Sequence, residues 1–104
     1  MILSEHFRRE RADRYVFIAT TIGMGKVIHS HKQAYNKWGT EPCVVDITDT
    51  GVAIVRTEDN IVVTMYILTI TEAATYFDGV VPMVLGAIIR RNMKRRYCTL
   101  QNER

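Results

Sequence analysis

The sequence predicts an α+β domain whose small antiparallel sheet runs as a meander over residues 43–70 and packs with N-terminal, central and C-terminal helices. The main observation is the run at residues 61–70, almost entirely Val, Ile, Met, Tyr and Leu, which is typical of a strand covered on both faces. Two shorter β-branched segments precede it, separated by turn residues, and a helical repeat of apolar residues follows it. At 104 residues we expect one domain, with residues 98–104 as a flexible tail.

The first forty residues are predicted to alternate between helix and strand. A polar segment with a favourable cap predicts a helix over residues 5–13. The β-branched and aromatic run at residues 14–22 favours a strand, which a Gly-Met-Gly turn ends. Residues 26–29 extend briefly, and Ser30 is then suited to cap a two-turn helix over residues 31–38.

The meander and the last two helices complete the predicted fold. Residues 43–48 and 52–57 form a hairpin around Asp49-Thr50-Gly51, and the strand at 61–70 follows it. A short helix is predicted over residues 72–78. A long helix then runs from Pro82 to about residue 97. Its predicted buried stripe recurs every four residues and consists of Leu85, Ile89, Met93 and Tyr97.

Basic residues concentrate at the two ends of the chain. Residues 1–40 carry seven basic and three acidic groups, residues 41–78 carry one and seven, and residues 79–104 carry six and one. A surface supplied by both ends would attract an anion, nucleic acid above all, with salt-sensitive affinity. The alternative is that the ends and the acidic middle neutralise each other on folding. The predicted nucleic-acid contacts are Lys32, Arg8, Arg9, Arg90, Arg91, Lys94, Arg95 and Arg96.

Two histidines and two lysines cluster around the predicted start of the central helix. His29 and His31 lie beside Lys26 and Lys32, where free N–H groups would favour a phosphate. Imidazoles near neutral pKa and fixed positive charge are what a phosphodiester reaction needs. The alternatives are two ordinary surface histidines or a transition-metal pair. We predict no metal and no cofactor, since two imidazoles alone do not make a metal site.

Thr64 and Tyr66 form a hydroxyl pair on one face of the 61–70 strand, because they lie two residues apart. The segment DITDTGVAIVRTEDNIVVTMYILT, which contains both, resembles the small metal-independent ribonucleases of the barnase, EndoU, colicin and RelE type, including phage and bacterial toxins. The resemblance implies cleavage by attack of a ribose 2′-hydroxyl on the adjacent phosphate. It also implies that Thr64 and Tyr66 match the hydroxyl positions of that family's strand, that His29 or His31 is the catalytic histidine, and that Lys26 or Lys32 stabilises the charged phosphorane. The alternative is that Thr64 and Tyr66 are ordinary strand residues. The long basic C-terminal helix is not a fixed part of that family.

The rival prediction is a non-enzymatic, phage-type regulator or inhibitor that binds nucleic acid or a nucleic-acid-processing complex. The expected partners are nucleic acid, with RNA favoured, and a protein such as an antitoxin or host complex. A homodimer through the apolar segment 79–89 is a further prediction. The sequence has neither a secretion-signal pattern nor an apolar run of about 20 residues, so we expect a cytoplasmic protein without a membrane partner. Cys43 and Cys98 are expected to be reduced, and a single bridge between them is left open.

Overall fold

The computed structural model describes residues 2–33 and 42–102, and side chains within residues 2–33 and 42–94. Over these ranges the chain forms a five-stranded mixed sheet with helices packed against it, which confirms the α+β class. The strands are β1 (Ile2–Leu3), β2 (Val27–Gln33), β3 (Cys43–Thr48), β4 (Val52–Thr57) and β5 (Ile61–Ile67), in the spatial order β1-β5-β4-β3-β2. The helices are α1 (Glu5–Glu10), α2 (Ala12–Phe17), α3 (Ile70–Tyr76) and α4 (Met83–Asn102), and a π-helical turn at Ile18–Ile22 follows α2.

The predicted meander is confirmed, because β3, β4 and β5 pair in succession and antiparallel. β5 lies between β4 and β1 and is therefore an internal strand as expected, with β1 covering its first two residues, Ile61 and Val62. β1 pairs with β5 in parallel, which makes the sheet mixed rather than purely antiparallel. β5 ends at Ile67, before residue 70, because Thr69 and Glu72 form a capping box that starts α3.

The predicted strand over residues 14–22 is wrong. The segment forms most of α2 and then the π-helical turn. Its apolar residues Tyr15, Ile18 and Ile22 recur at helical spacing, and all three pack into one core with residues of β4 and β5. Burial of this stripe outweighs the β propensity of the individual residues, which is a context-dependent preference.

The predicted helix over residues 31–38 is wrong at residues 31–33, which belong to β2, and residues 34–38 lie outside the described residues. β2 is an edge strand that pairs antiparallel with β3 from Val27 to Gln33. From His29 onward its side chains alternate between half-buried and exposed, which is the period of a strand. Ladder hydrogen bonds along this length outweigh one favourable helix cap at Ser30.

Each face of the sheet has its own apolar core. On the face packed against α3 and α4, called here the α3 face, the fully buried residues include Val45, Ile47 and Val55. On the opposite face, called here the α1 face, Phe7 of α1 and Ile18 pack with Met65. The side chains of every central strand are therefore divided between two helical layers.

The buried stripe of α4 differs from the predicted one at its third position. Leu85 and Ile89 are buried as expected, whereas Met93 is 44% exposed. Asn92 is buried instead, and its amide donates a 2.7 Å hydrogen bond to the backbone oxygen of Thr50. A polar contact thus fixes α4 against the β3–β4 turn where a purely apolar stripe was predicted.

The backbone of α4 remains helical to Asn102, so the segment expected to be a tail begins as helix. The side chains of Tyr97 and Cys98 lie outside the described residues. Cys43 has a free, buried thiol. Over residues 2–33 and 42–102, none of the helices combines the length and hydropathy of a membrane span.

Candidate functional site

The two histidines of β2 lie on the α3 face. His29 is paired with Ile47 and His31 with Val45, and both partners belong to the core on that face. The His29 ring packs against Phe77, with ring centroids 4.7 Å apart. The His31 ring lies 5.4 Å from that of Tyr76. Both imidazoles are half-buried, so each combines an aromatic contact with partial access to solvent.

A pair of tyrosine hydroxyls lies next to this histidine pair. Tyr66 is paired with Ala53 of β4 and shares the α3 face, and its Oη is 2.7 Å from the Oη of Tyr76. Tyr76 also contacts His31, so it connects the edge strand β2 to the internal strand β5. We call His31, Tyr76 and Tyr66 the tyrosine–histidine row. It spans the sheet by way of α3.

The phenol of Tyr66 stays protonated over the physiological pH range. Burial is the main cause that raises its pKa, and the hydrogen bond with Tyr76 adds to it. Tyr66 can therefore donate or accept a hydrogen bond but cannot serve as a base near neutral pH. Its chemical role is restricted to hydrogen bonding.

Thr64 shares the α3 face with Tyr66, as predicted from their spacing, because it is paired with Val55. Its side chain is only 6% exposed. The hydroxyl is therefore enclosed in the fold and is not presented to a large substrate. Thr64 therefore lies on the predicted face of the sheet, but its side chain is buried.

The predicted lysine pair is divided. Lys32 alternates with His31 along β2 and is paired with Val44, so it lies on the α1 face, away from the imidazoles. Lys26 is exposed just before β2, where its backbone N–H donates a 2.9 Å hydrogen bond to Asp49 Oδ1. The helix N-terminus that was expected to attract phosphate is absent at Ser30, because residues 30–33 are strand. The fold thus separates Lys32 from the imidazoles and leaves Lys26 exposed one residue before β2.

An ionic cluster on the α1 face was missed by the sequence analysis. Asp46 is 7% exposed and accepts a 2.7 Å hydrogen bond from Ser30 Oγ. Arg56 Nε donates to its other oxygen at 2.6 Å, and Arg56 also reaches Asn60 Oδ1 at 3.1 Å. The signal in the sequence was an acid on one strand and a base on its hairpin partner. The cluster satisfies its own charges, so it fixes the packing of β2, β3 and β4.

The predicted nucleic-acid contacts fall on both sides of the sheet. Arg90, Arg91 and Lys94 are exposed on α4, which packs on the α3 face. Arg8 and Arg9 are exposed on α1, which packs on the α1 face, and Arg9 is paired with Glu5. The side chains of Arg95 and Arg96 lie outside the described residues. The α4 cations therefore share a layer with the tyrosine–histidine row, and the α1 cations do not.

The comparisons with known proteins leave the family open, since no family model, curated protein or solved structure matches this chain. Among the described residues, no group of three or more His, Cys, Asp or Glu side chains could hold a metal ion.

Proposed function

We propose that this protein binds RNA and cleaves it without a metal, by attack of a ribose 2′-hydroxyl on the adjacent phosphate. The observation that carries the proposal is the tyrosine–histidine row together with His29, all on one face of the sheet. Two imidazoles on one strand supply the base and the acid that such a reaction needs. The resemblance of residues 46–69 to small metal-independent ribonucleases points to the same reaction.

The proposed reaction uses the two histidines as proton carriers. One imidazole takes the proton of the 2′-hydroxyl while the O2′–P bond forms. The other gives a proton to the leaving 5′-oxygen while the P–O5′ bond breaks. The products are a 2′,3′-cyclic phosphate and a 5′-hydroxyl. Histidine suits both steps because its ordinary pKa of about 6.5 lies near neutral pH.

The remaining groups of the proposed site bind rather than transfer protons. Tyr66 keeps its proton and can donate a hydrogen bond, and Tyr76, which contacts His31, would orient that imidazole beside the phosphate. Lys26 would stabilise the charge of the phosphorane. Thr64 and Lys32 have no role in this chemistry, because the first is buried and the second lies on the other face.

The exposed cations of α4 would hold the RNA strand. Arg90, Arg91 and Lys94 lie on the solvent side of a helix that packs on the α3 face. Arginine and lysine side chains of this kind bind phosphates without regard to sequence and with salt-dependent affinity. A cytoplasmic location and an inhibitory protein partner, such as an antitoxin or a host complex, would accompany a ribonuclease of this type.

Incubation of the protein with mixed RNA, with and without EDTA, tests the proposal. We expect cleavage that survives EDTA and leaves 2′,3′-cyclic phosphate ends. A matched RNA with a single 2′-deoxy position at the cleaved site should resist cleavage there, since it lacks the attacking hydroxyl. Cleavage lost in EDTA, or 5′-phosphate products, would contradict the mechanism.

The second candidate is a non-enzymatic regulator or inhibitor that binds nucleic acid or a nucleic-acid-processing complex. The burial of Thr64 and the packing of both imidazoles on aromatic rings favour it, because these contacts also suit a purely structural polar layer. This candidate predicts salt-sensitive binding of RNA that remains intact. The same incubation distinguishes the two functions.

A further inference from the structure

The hydrogen bond between Tyr66 and Tyr76 joins an internal strand to the end of α3. Tyr66 lies on β5 opposite Ala53 of β4, and its ring packs in the core of the α3 face. Tyr76 is the last residue of α3, a helix of seven residues, and its Oη is 2.7 Å from the Tyr66 Oη. The sheet therefore fixes Tyr66, and Tyr66 in turn holds the side chain at the end of the helix.

His31 depends on Tyr76 for its orientation. β2 is an edge strand, so it is paired with β3 on one side of its backbone. The half-buried His31 ring packs against the Tyr76 ring, with centroids 5.4 Å apart. The position of the Tyr76 ring therefore limits the orientations that the imidazole can adopt.

The two hydroxyls do more than fill the core. Phe77 packs against the same core without a hydroxyl, so apolar burial alone does not require one. A hydroxyl taken out of water costs free energy unless it is hydrogen-bonded, and burial is the main cause that raises the pKa of Tyr66. The bond to Tyr76 offsets this cost and fixes the direction of the Tyr76 side chain. Phenylalanine at either position would leave that direction to packing alone.

His29 is held in a different way. Its ring packs against Phe77, with centroids 4.7 Å apart. Phe77 has no hydroxyl with which to bond Tyr66, so the restraint that reaches His31 does not extend to His29. The two imidazoles thus share a strand and a face but differ in their support.

We propose that Tyr66 is a positioning residue that acts through Tyr76 on His31 and leaves His29 unaffected. The Tyr66 hydroxyl holds the Tyr76 ring, and that ring holds the imidazole. The effect on catalysis rests on the proposed function, since the orientation of His31 influences cleavage only if His31 transfers a proton. Small displacements of a proton-transferring group lower the rate steeply, so a bond that lies beyond the reacting atoms still influences it.

A double-mutant cycle tests the proposal, with single-turnover cleavage of one RNA in EDTA as the readout. Tyr66→Phe alone should lower the rate constant about 3- to 10-fold, the factor expected for one lost hydrogen bond. The same factor should appear in the His29→Ala background. In the His31→Ala background Tyr66→Phe should have no further effect, because the imidazole that it positions is absent. A substitution that only loosened the fold would lower the rate in both backgrounds.

Two further tyrosine variants complete the rate measurement. Tyr76→Phe removes the other hydroxyl of the same bond and keeps the ring against His31. It should reproduce the effect of Tyr66→Phe, and the two effects should not add. Tyr15→Phe is the matched control, because Tyr15 is a half-buried tyrosine on α2 that packs in the core of the opposite face. It should cleave at the wild-type rate.

NMR of the imidazoles without RNA separates failure of this proposal from failure of the proposed function. Tyr66→Phe should shift the ring resonances of His31 by more than those of His29, and should leave those of His6 on α1 in place. Where the wild type cleaves RNA, equal rate losses in the two histidine backgrounds, or no loss, would overturn the positioning role. Where the wild type does not cleave, the proposed function fails. Unchanged His31 resonances, or equal shifts at His29 and His31, would then overturn the positioning role as well.

Discussion

The hydroxyl of Tyr66 shows how burial sets chemistry at the scale of one residue. Its pKa is raised chiefly by burial and further by Tyr76, so the folded state holds this proton more tightly than the unfolded chain does. The unfolded chain releases the proton near pH 10, the ordinary value for tyrosine. The contribution of Tyr66 to folding stability is therefore complete below that pH and declines above it.

Tyr66→Phe should make the protein less sensitive to alkaline pH. Near neutral pH the variant loses one hydrogen bond, worth about 1 kcal/mol of unfolding free energy. Above about pH 10 it lacks the phenol whose ionisation favours the unfolded state. The stability difference between wild type and variant should therefore shrink as pH rises, as measured by urea titrations from neutral to alkaline pH. A difference that widens would refute the assignment.

The Asp46–Arg56 pair is a second prediction at this scale. Asp46→Asn removes the charge that compensates Arg56 while keeping an oxygen for Ser30. We expect a loss of about 1–3 kcal/mol in unfolding free energy, since Arg56 then lacks its ionic partner in a half-buried site. Asp59→Asn, in an exposed turn, is the control and should change stability little. Equal effects of the two substitutions would mean that the pair contributes nothing.

At the scale of elements, the docking of α4 depends on the β3–β4 turn. Gly51 has a φ of 82°, and a Cβ built there would lie 2.9 Å from the Asn92 amide nitrogen. Asn92 in turn binds the backbone oxygen of Thr50. Glycine is thus required twice, for its positive φ and for the close approach of the helix.

Gly51→Ala should destabilise the protein more than Gly79→Ala. Gly79 has a φ of 89° but no atom within 4 Å of a built Cβ, so its substitution measures backbone strain alone. That strain is about 1–2 kcal/mol. The excess at Gly51 measures the clash with Asn92, which thermal or urea unfolding of the two variants would determine. Equal losses would show that α4 does not pack tightly on the turn.

The sequence predicted correctly those elements in which the hydrophobic pattern and the residue propensities favour the same secondary structure. Val44, Val45 and Ile47, followed by a glycine turn, specify a strand and hairpin by pattern and propensity together. Residues 14–22 failed because their β-branched residues favour a strand while the spacing of Tyr15, Ile18 and Ile22 favours a helix. The tertiary contact decides such a conflict, and it is not visible in a local window.

The candidate site was also predictable only in part: local spacing was visible in the sequence, and the contacts between elements were not. The spacing of His29 with His31, and of Thr64 with Tyr66, fixed which residues share a strand face. The sequence did not show whether the histidines and the hydroxyl pair lie on the same face of the sheet, because that depends on how β2, β3, β4 and β5 pair. The role of Tyr76 depended on the position of α3. The division of Lys26 from Lys32 followed once β2 proved to be a strand.

At the scale of the whole molecule, cations are distributed over two layers. Changing Arg90, Arg91 and Lys94 together to Gln should reduce the slope of log K for RNA against log salt by up to about 2 units, at about 0.7 per phosphate contact. Arg8→Gln with Arg9→Gln should change it less, because Arg9 already pairs with Glu5 on the other side of the sheet. An unchanged slope in the α4 variant would exclude this helix from RNA binding.

The most direct test of the central claim is the single-turnover cleavage rate of one RNA substrate by three histidine variants in EDTA. His29→Ala and His31→Ala should each reduce the rate by about 10²–10⁴, the typical contribution of a general acid or base. His6→Ala, an exposed histidine on α1, is the matched control and should cleave at the wild-type rate. Folded β2 variants that retain full activity, or a loss confined to His6→Ala, would contradict the assignment of the reaction to the α3 face.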